Sequence, residues 1–110
     1  MRLLFFFVFV LSASLGQAQE VFAVDYASRA DVKVYVVDYA SRADLKVFKV
    51  DYSGQASGNE GLWFFTDFSG QADKTIFYVD YESQADLKIF FVEYKGQAGW
   101  NSNSKKHLMY

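Results

Sequence analysis

The sequence predicts an all-β protein, built from six strand–turn repeats of 13 residues in one compact domain. Three observations lead to this fold class. One motif recurs six times along the chain. Each copy contains a run of β-branched and aromatic residues, the types that favour strands. Small and polar residues typical of turns follow each run. With 110 residues, a second domain is not expected.

Residues 1–18 are predicted to be a secretory signal peptide, outside the fold. A positively charged start precedes an unbroken apolar run at 3–11, and the small residues Gly16 and Ala18 come just before the preferred cleavage site at Gln19. A cut nearer Ala13 is an alternative, and a buried strand or membrane anchor is the competing interpretation of the run. The run is shorter than the roughly 20 residues that a bilayer requires.

The leader and the composition together predict where the protein acts. The chain has no cysteine, whereas small exported animal domains usually carry disulfides. We therefore expect a bacterial protein that is periplasmic or secreted, and that does not span the membrane once it is processed. Removal of the leader, which contains Arg2, changes the net charge from −2 to −3.

The repeat units are regular enough to number their positions from one to 13. The units span 21–33, 34–46, 47–59, 63–75, 76–88 and 89–101. The fifth position is always acidic: Asp25, Asp38, Asp51, Asp67, Asp80 and Glu93. The tenth is always alanine: Ala30, Ala43, Ala56, Ala72, Ala85 and Ala98. These twelve residues form the repeat signature, and we expect them to have structural roles.

Each unit is predicted to be one strand followed by one turn. The strand runs from position 12 through position six of the next unit, as in 45–52, and the turn occupies positions seven to eleven. Alternation with period two predicts that positions two, four and six, such as Phe48, Val50 and Tyr52, form one continuous core face. Position one is always apolar, so the second face is expected to be partly buried as well.

The acidic fifth position has two interpretations. A ladder of carboxylates could bind cations, as in calcium-binding repeat proteins. The alternative, which we favour, is a residue at the strand end that accepts hydrogen bonds from turn amides or pairs with a neighbouring cation. The aspartate at position 11, for example Asp44, is expected to be a turn residue. The alanine at position ten is expected to mark a crowded backbone crossing.

Two segments depart from the repeat. Residues 57–62 (SGNEGL) interrupt it and form an irregular loop, which could carry function but is more simply a longer connection needed for the chain path. Residues 101–110 have lost the motif, and we expect them to be a flexible, frayed tail.

The motif resembles a known family. The signature VDYxSQADLKVFxVDY, clearest in the unit IFYVDYESQADLK at 76–88, is similar to that of the Septknot, or septoil-knot domain, family, and it covers about residues 21–100. The resemblance implies a small β-rich fold at 19–100 whose backbone is tied in a seven-crossing torus knot. It brings no catalytic residue to carry over.

Few residues are suited to chemistry. The mildly acidic balance argues against nucleic-acid binding. The single histidine, His107, lies in the tail, so a Ser/His/Asp triad and a histidine metal site are not expected. Thirteen acidic residues make a close carboxylate pair unspecific evidence for a glycosidase. We predict no cofactor, no metal site and no catalytic site, and hence no enzyme.

Some aromatic residues could serve as a binding surface. An exposed stacking surface for sugars is one interpretation, and burial in the core is the commoner one. The residues concerned are Trp63, Trp100, Phe65, Tyr78 and Phe91.

Three functions remain open. The first is a structural or interaction module of the cell envelope or exterior, expected to be monomeric with an unknown partner. The second is a ligand-binding module, with exposed aromatics for a glycan or repeated aspartates for a divalent cation. The third and least favoured is a hydrolase.

Overall fold

A computed structural model describes residues 19–52, 55 and 58–109 of the chain. The predicted leader and Ala56 lie outside the described residues. Seven strands are present in this part: β1 Gln19–Ala23, β2 Val32–Val36, β3 Leu45–Lys49, β4 Leu62–Phe65, β5 Lys74–Tyr78, β6 Leu87–Phe91 and β7 Gly99–Trp100. One-turn 3-10 helices follow five of them, at Ala27–Arg29, Ala40–Arg42, Ser69–Gln71, Glu82–Gln84 and Lys95–Gln97. A longer 3-10 helix spans Asn103–Met109.

The first six strands form a closed parallel barrel, which confirms the all-β repeat fold. Their order is β4-β1-β5-β2-β6-β3, and β4 also pairs with β3 to close the ring. Strands from the first half of the chain (β1 to β3) therefore alternate with strands from the second half (β4 to β6) around the whole barrel. Such an order results when a chain winds twice around one axis, each regular step skipping one strand. The two-residue β7 pairs antiparallel with β3.

The stagger between strands explains why the connections can be short. Ala23 at the end of β1 lies opposite Ile76 of β5, and Ile76 lies opposite Val32 at the start of β2. The last residue of one strand therefore lies at the same height along the barrel as the first residue of the next strand in sequence. The connection needs only to cross the skipped strand, so eight residues suffice where parallel strands usually need about a dozen or more.

One backbone hydrogen bond recurs in all six units. The amide at position four donates to the carbonyl at position one of the neighbouring strand, as from Val37 to Ile89 (2.9 Å) and from Val79 to Val34 (2.9 Å). The equivalent donors in the other units are Val24, Val50, Thr66 and Val92. The repeat in sequence is therefore a repeat of contacts, with the same geometry in each unit.

The interior of the barrel is filled by positions 12 and one. Buried side chains at these positions form one cluster, which includes Val32, Val34, Leu45, Val47, Ile76, Leu87, Ile89 and Trp63. The predicted core face of positions two, four and six does not line the barrel interior: Val37, Val50 and Thr66 at position four are buried, but the prediction is wrong for position six. The strand ends at position three, so position six does not share a strand face with positions two and four. Tyr52 at that position is 71% exposed.

Positions two and four belong to a second layer outside the barrel. The 3-10 turn of each described connection contacts the strand that the connection skips, for instance Ala40–Arg42 against β6. The outward-facing Phe48 and Phe90 at position two are consequently half-buried. Both faces of the strands are apolar because both are covered, as is usual for parallel sheets.

The irregular loop lies where the winding changes its step. Every regular connection skips one strand, whereas the chain passes from β3 directly to its neighbour β4. Gly61 within this loop has a φ of +92°, and a Cβ there would collide with the carbonyl oxygen of Lys46. The residues inserted into the repeat therefore lie in the connection that leads to an adjacent strand without skipping one.

The C-terminal tail is structured, contrary to the expectation of a frayed segment. Its 3-10 helix buries Met109 completely in the core cluster. The buried Gln19 side chain donates to the Met109 carbonyl (3.0 Å), and Asn59 donates to that of Lys106 (3.0 Å). Burial of an apolar side chain and these hydrogen bonds hold a segment that the repeat pattern does not include.

Candidate binding surface

A belt of aromatic side chains surrounds the barrel. The six aromatics at position six are between 64% and 71% exposed, and we call them the aromatic belt: Tyr26, Tyr39, Tyr52, Phe68, Tyr81 and Tyr94. Each follows a strand and precedes the turn of its unit, in extended backbone with φ near −130° where the structure gives it. Together with Val36 and Tyr78, they are the large apolar residues exposed in the described part.

An acidic residue precedes every member of the belt. All six fifth-position side chains are exposed: Asp25, Asp38, Asp51, Asp67, Asp80 and Glu93. Among the described residues, none of these carboxylates forms a hydrogen bond or a salt bridge. The hydrogen-bonding role that we favoured for them is therefore not observed. They leave negative charge beside the aromatic rings.

The aspartates at position 11 have the structural role instead. The Asp44 amide donates to the Lys88 carbonyl (2.7 Å), and its carboxylate accepts from the Lys88 amide (2.9 Å). Asp86 makes the same two-way contact with Lys33. Asp31 and Asp73 repeat it with Thr75 and Glu20. We call this contact the aspartate clamp, because it fixes a connection to the strand start beside it.

The five described alanines at position ten lie at the ends of the 3-10 turns. Their amides donate to the residue at position seven, as from Ala43 to Ala40 (3.2 Å). Ala43 is buried, while Ala30, Ala72, Ala85 and Ala98 are half-buried. The described alanines of the signature therefore lie within the crossing connections, while the acids of the same signature are exposed to solvent.

Third-position residues lie at one end of the barrel interior, where several aromatics meet. Phe65 packs edge-on against the fully buried Trp63, with ring centroids 6.0 Å apart. The Lys49 ammonium lies 5.2 Å from the Phe65 centroid and 4.7 Å from that of Phe91. Most of the aromatic residues that could stack on sugars are therefore core or half-buried residues. Tyr78 is partly exposed, and its partial burial raises the pKa of its hydroxyl.

Two grooves lie between a skipped strand and the connection that crosses it. One, which we call the Phe90 groove, encloses about 420 Å³. It is lined by Phe90, Glu93, Tyr94 and Gln97 of the sixth unit, and by Ala40 and Lys46 of the second. Phe90 and Lys46 are direct partners on adjacent strands and form its floor.

A second groove occupies equivalent positions between the first and fourth units. It encloses about 330 Å³ and is lined by Phe22, Val24, Asp25, Arg29, Ser69 and Thr75. Its floor is again a cross-strand pair of positions two and 13, Phe22 with Thr75. We call it the Phe22 groove. The groove is therefore a repeated product of the fold, open to the belt and its acids.

The described residues bring no three acidic or histidine side chains together as a metal site. None of the helices in this part of the chain has the length and apolar content needed to cross a membrane.

Sequence reasoning missed the aromatic belt and the grooves. The period-two alternation predicts burial of position six, because this position continues the pattern of positions two and four. One signal could have identified it: position six stands directly before the turn residues, where a strand commonly ends. No local signal identifies the grooves, since each combines units that are distant in sequence.

Comparison with known proteins identifies the family. Residues 18–101 match the 7(1) septoil knot domain. No curated protein and no solved structure matches the chain. The match covers most of the chain, and the interlaced strand order fits a knotted β fold. The chain belongs to the 7(1) septoil knot domain family.

Proposed function

We propose that the protein is a monomeric, non-catalytic interaction module, exported by its leader to the periplasm or the cell exterior, that binds its partner through the aromatic belt. The observation that carries this proposal is the exposure of all six belt side chains. The barrel interior is filled by positions 12 and one, so folding gives no reason to keep an aromatic residue at position six. Exposed aromatic patches commonly mark partner surfaces.

The charge beside the belt supports the same proposal. Every belt residue has a carboxylate next to it without a partner among the described residues. Tyrosine hydroxyls and carboxylates offer directional hydrogen bonds, while the rings offer apolar area. Apolar area together with groups that form hydrogen bonds is typical of recognition surfaces. The ligand-binding alternative is supported by the grooves, which open beside these carboxylates.

The first experiment separates binding from folding. Replacing Tyr26, Tyr39 and Tyr81 by serine in the full chain is expected to change the melting temperature by no more than about 3 °C, because exposed side chains contribute little stability. The control is Ile76→Ala, which opens a cavity in the core and should cost about 2–5 kcal/mol. A triple variant as unstable as the control would show that the belt is structural and would contradict the proposal.

The second experiment measures binding itself. Wild type and the triple variant are passed over immobilised neutral polysaccharide and over an immobilised arginine-rich peptide. The proposal predicts that wild type is retained on at least one matrix and that the triple variant elutes earlier. Equal elution of both proteins on every matrix would overturn it.

A further inference from the structure

The Phe90 groove combines a donor, an acceptor and aromatic surface without internal pairing. Lys46, Glu93 and Gln97 line it, and within the described residues their side chains form neither hydrogen bonds nor salt bridges with one another or with other residues. Phe90 contributes half-buried aromatic surface to the floor, and Tyr94 is 67% exposed at the side. A volume of about 420 Å³ lies within the usual range of small-ligand sites.

The charges of this groove exclude several ligand classes. A purely cationic ligand at Glu93 would meet the Lys46 ammonium that lines the same space, and a purely anionic one would meet the Glu93 carboxylate. A zwitterion would depend on exposed ion pairs, which solvent screens and which contribute little affinity. A neutral ligand with many hydroxyl groups can donate to Glu93 and accept from Lys46 at once, through charge-assisted hydrogen bonds.

The aromatic surface narrows the ligand further. A pyranose ring presents an apolar face of C–H groups as well as hydroxyls at its edge, and this combination matches an aromatic ring flanked by polar side chains. The Phe22 groove repeats the arrangement, with the carboxylate of Asp25 and the guanidinium of Arg29 beside Phe22. The Phe22 groove lies at β1 and β5, across the barrel from the Phe90 groove at β6 and β3, so the two grooves are separate sites for the same class of ligand.

We propose that the Phe90 groove binds a pyranose unit of a neutral glycan, with Glu93 accepting and Lys46 and Gln97 hydrogen-bonding to its hydroxyls over Phe90, and that the Phe22 groove binds a unit of a second glycan chain. This inference rests on the proposed function, because the grooves open beside the belt, and it names the ligand class.

The test uses cellohexaose, chitohexaose and maltohexaose with the full chain. Calorimetry measures affinity, and NMR follows the side-chain amide of Gln97. We expect saturable binding of at least one hexasaccharide with a shift of the Gln97 signal, and a loss of affinity of about tenfold or more in Glu93→Ala. Glu60→Ala is the control, because Glu60 is also exposed and lies outside both grooves, where its carboxylate pairs with the Lys106 ammonium (3.2 Å).

Each other outcome contradicts the inference. Absence of binding to all three sugars at about 10 mM, a concentration at which a complex with a Kd of about 1 mM would be seen, would overturn it. If Glu93→Ala and Glu60→Ala bound the hexasaccharide with equal affinity, the assignment of the sugar site to the Phe90 groove would be wrong. Saturable binding of hexa-arginine or Ca²⁺ at Gln97, with none of the sugars, would overturn the ligand class. In any of these cases, the triple serine variant of the belt can still elute earlier than wild type from the immobilised matrices. The proposed function then stands, and only the assignment of a glycan to the grooves fails.

Discussion

At the scale of single residues, the same amino acid has two roles within one repeat. The aspartate at position 11 is bound on both its amide and its carboxylate, as Asp44 is to Lys88. The acid at position five, such as Asp38, is exposed and has no side-chain partner among the described residues. Repetition of both residues through the chain therefore has different causes: one secures the connection, and the other remains available at the surface.

This difference can be measured with a pair of variants from the same unit. Asp44→Ala leaves the Lys88 amide without its carboxylate acceptor and is expected to lower the free energy of unfolding by about 1.5 kcal/mol or more. Asp38→Ala should change it by less than about 0.5 kcal/mol. Urea unfolding measures both. A cost for Asp38→Ala equal to that for Asp44→Ala would mean that the fifth-position acids are structural.

Tyr78 makes the stability depend on alkaline pH. Burial raises the pKa of its hydroxyl above the ordinary value of 10.0. Above that value the unfolded chain releases this proton while the folded protein still holds it, so ionisation favours unfolding. The contribution of Tyr78 is therefore complete below pH 10.0 and is lost as the pH rises through the raised pKa. Thermal unfolding between about pH 9 and 12 should show a smaller loss in Tyr78→Phe than in wild type. Parallel curves would refute this.

At the scale of elements, the strands were predicted and their ends were not. The β-branched and aromatic runs located every barrel strand, because strand propensity is a local property. The predicted strand 45–52 is in fact Leu45–Lys49, since the chain leaves the barrel after position three to cross the skipped strand. That crossing is a tertiary event, and residues such as Val50 and Tyr52 continue the alternation although the strand has ended.

The tail shows the opposite limit. Nothing in residues 101–110 continues the repeat, and a segment without a pattern reads as loose. Its order comes from contacts distant in sequence, such as Gln19 with Met109. The position of Met109 in the core depends on how the barrel closes, which no local sequence property determines.

A substitution at each of two neighbouring tail residues tests this order. Met109→Ala should cost about 2–5 kcal/mol, because Met109 is fully buried and its loss leaves a cavity. His107→Ala is the control, with an exposed side chain and an expected change below about 0.5 kcal/mol. The free energies come from chemical denaturation. Two equal and small changes would show that the tail does not close the barrel.

At the scale of the whole molecule, the function proposed here follows from the winding. Because each regular connection crosses over a skipped strand, these connections cover the barrel and carry belt residues on the outside. The same crossings create the grooves at Phe22 and Phe90. A sequential barrel with the same units would leave no skipped strand to cover, and these grooves would not form.

The winding could not be predicted from the residues alone. Every strand carries nearly the same pattern, so neither the register nor the order of strands is specified locally. The insertion near Gly61 is evident in the sequence. Only the pairing of β3 with β4 shows that this connection leads to an adjacent strand instead of skipping one. The resemblance to the septoil knot family supplied the knotted fold, whereas the repeat supplied only the number and type of elements.

The most direct test of this account is the pairing around β2. Backbone NOEs from Val34 in NMR spectra of the protein report its neighbours. The interlaced barrel predicts NOEs from Val34 to Tyr78 on β5 and to Leu87 on β6. NOEs that instead connect β2 directly to β1 and β3 would contradict the interlaced barrel, and with it the origin of the belt and of the grooves.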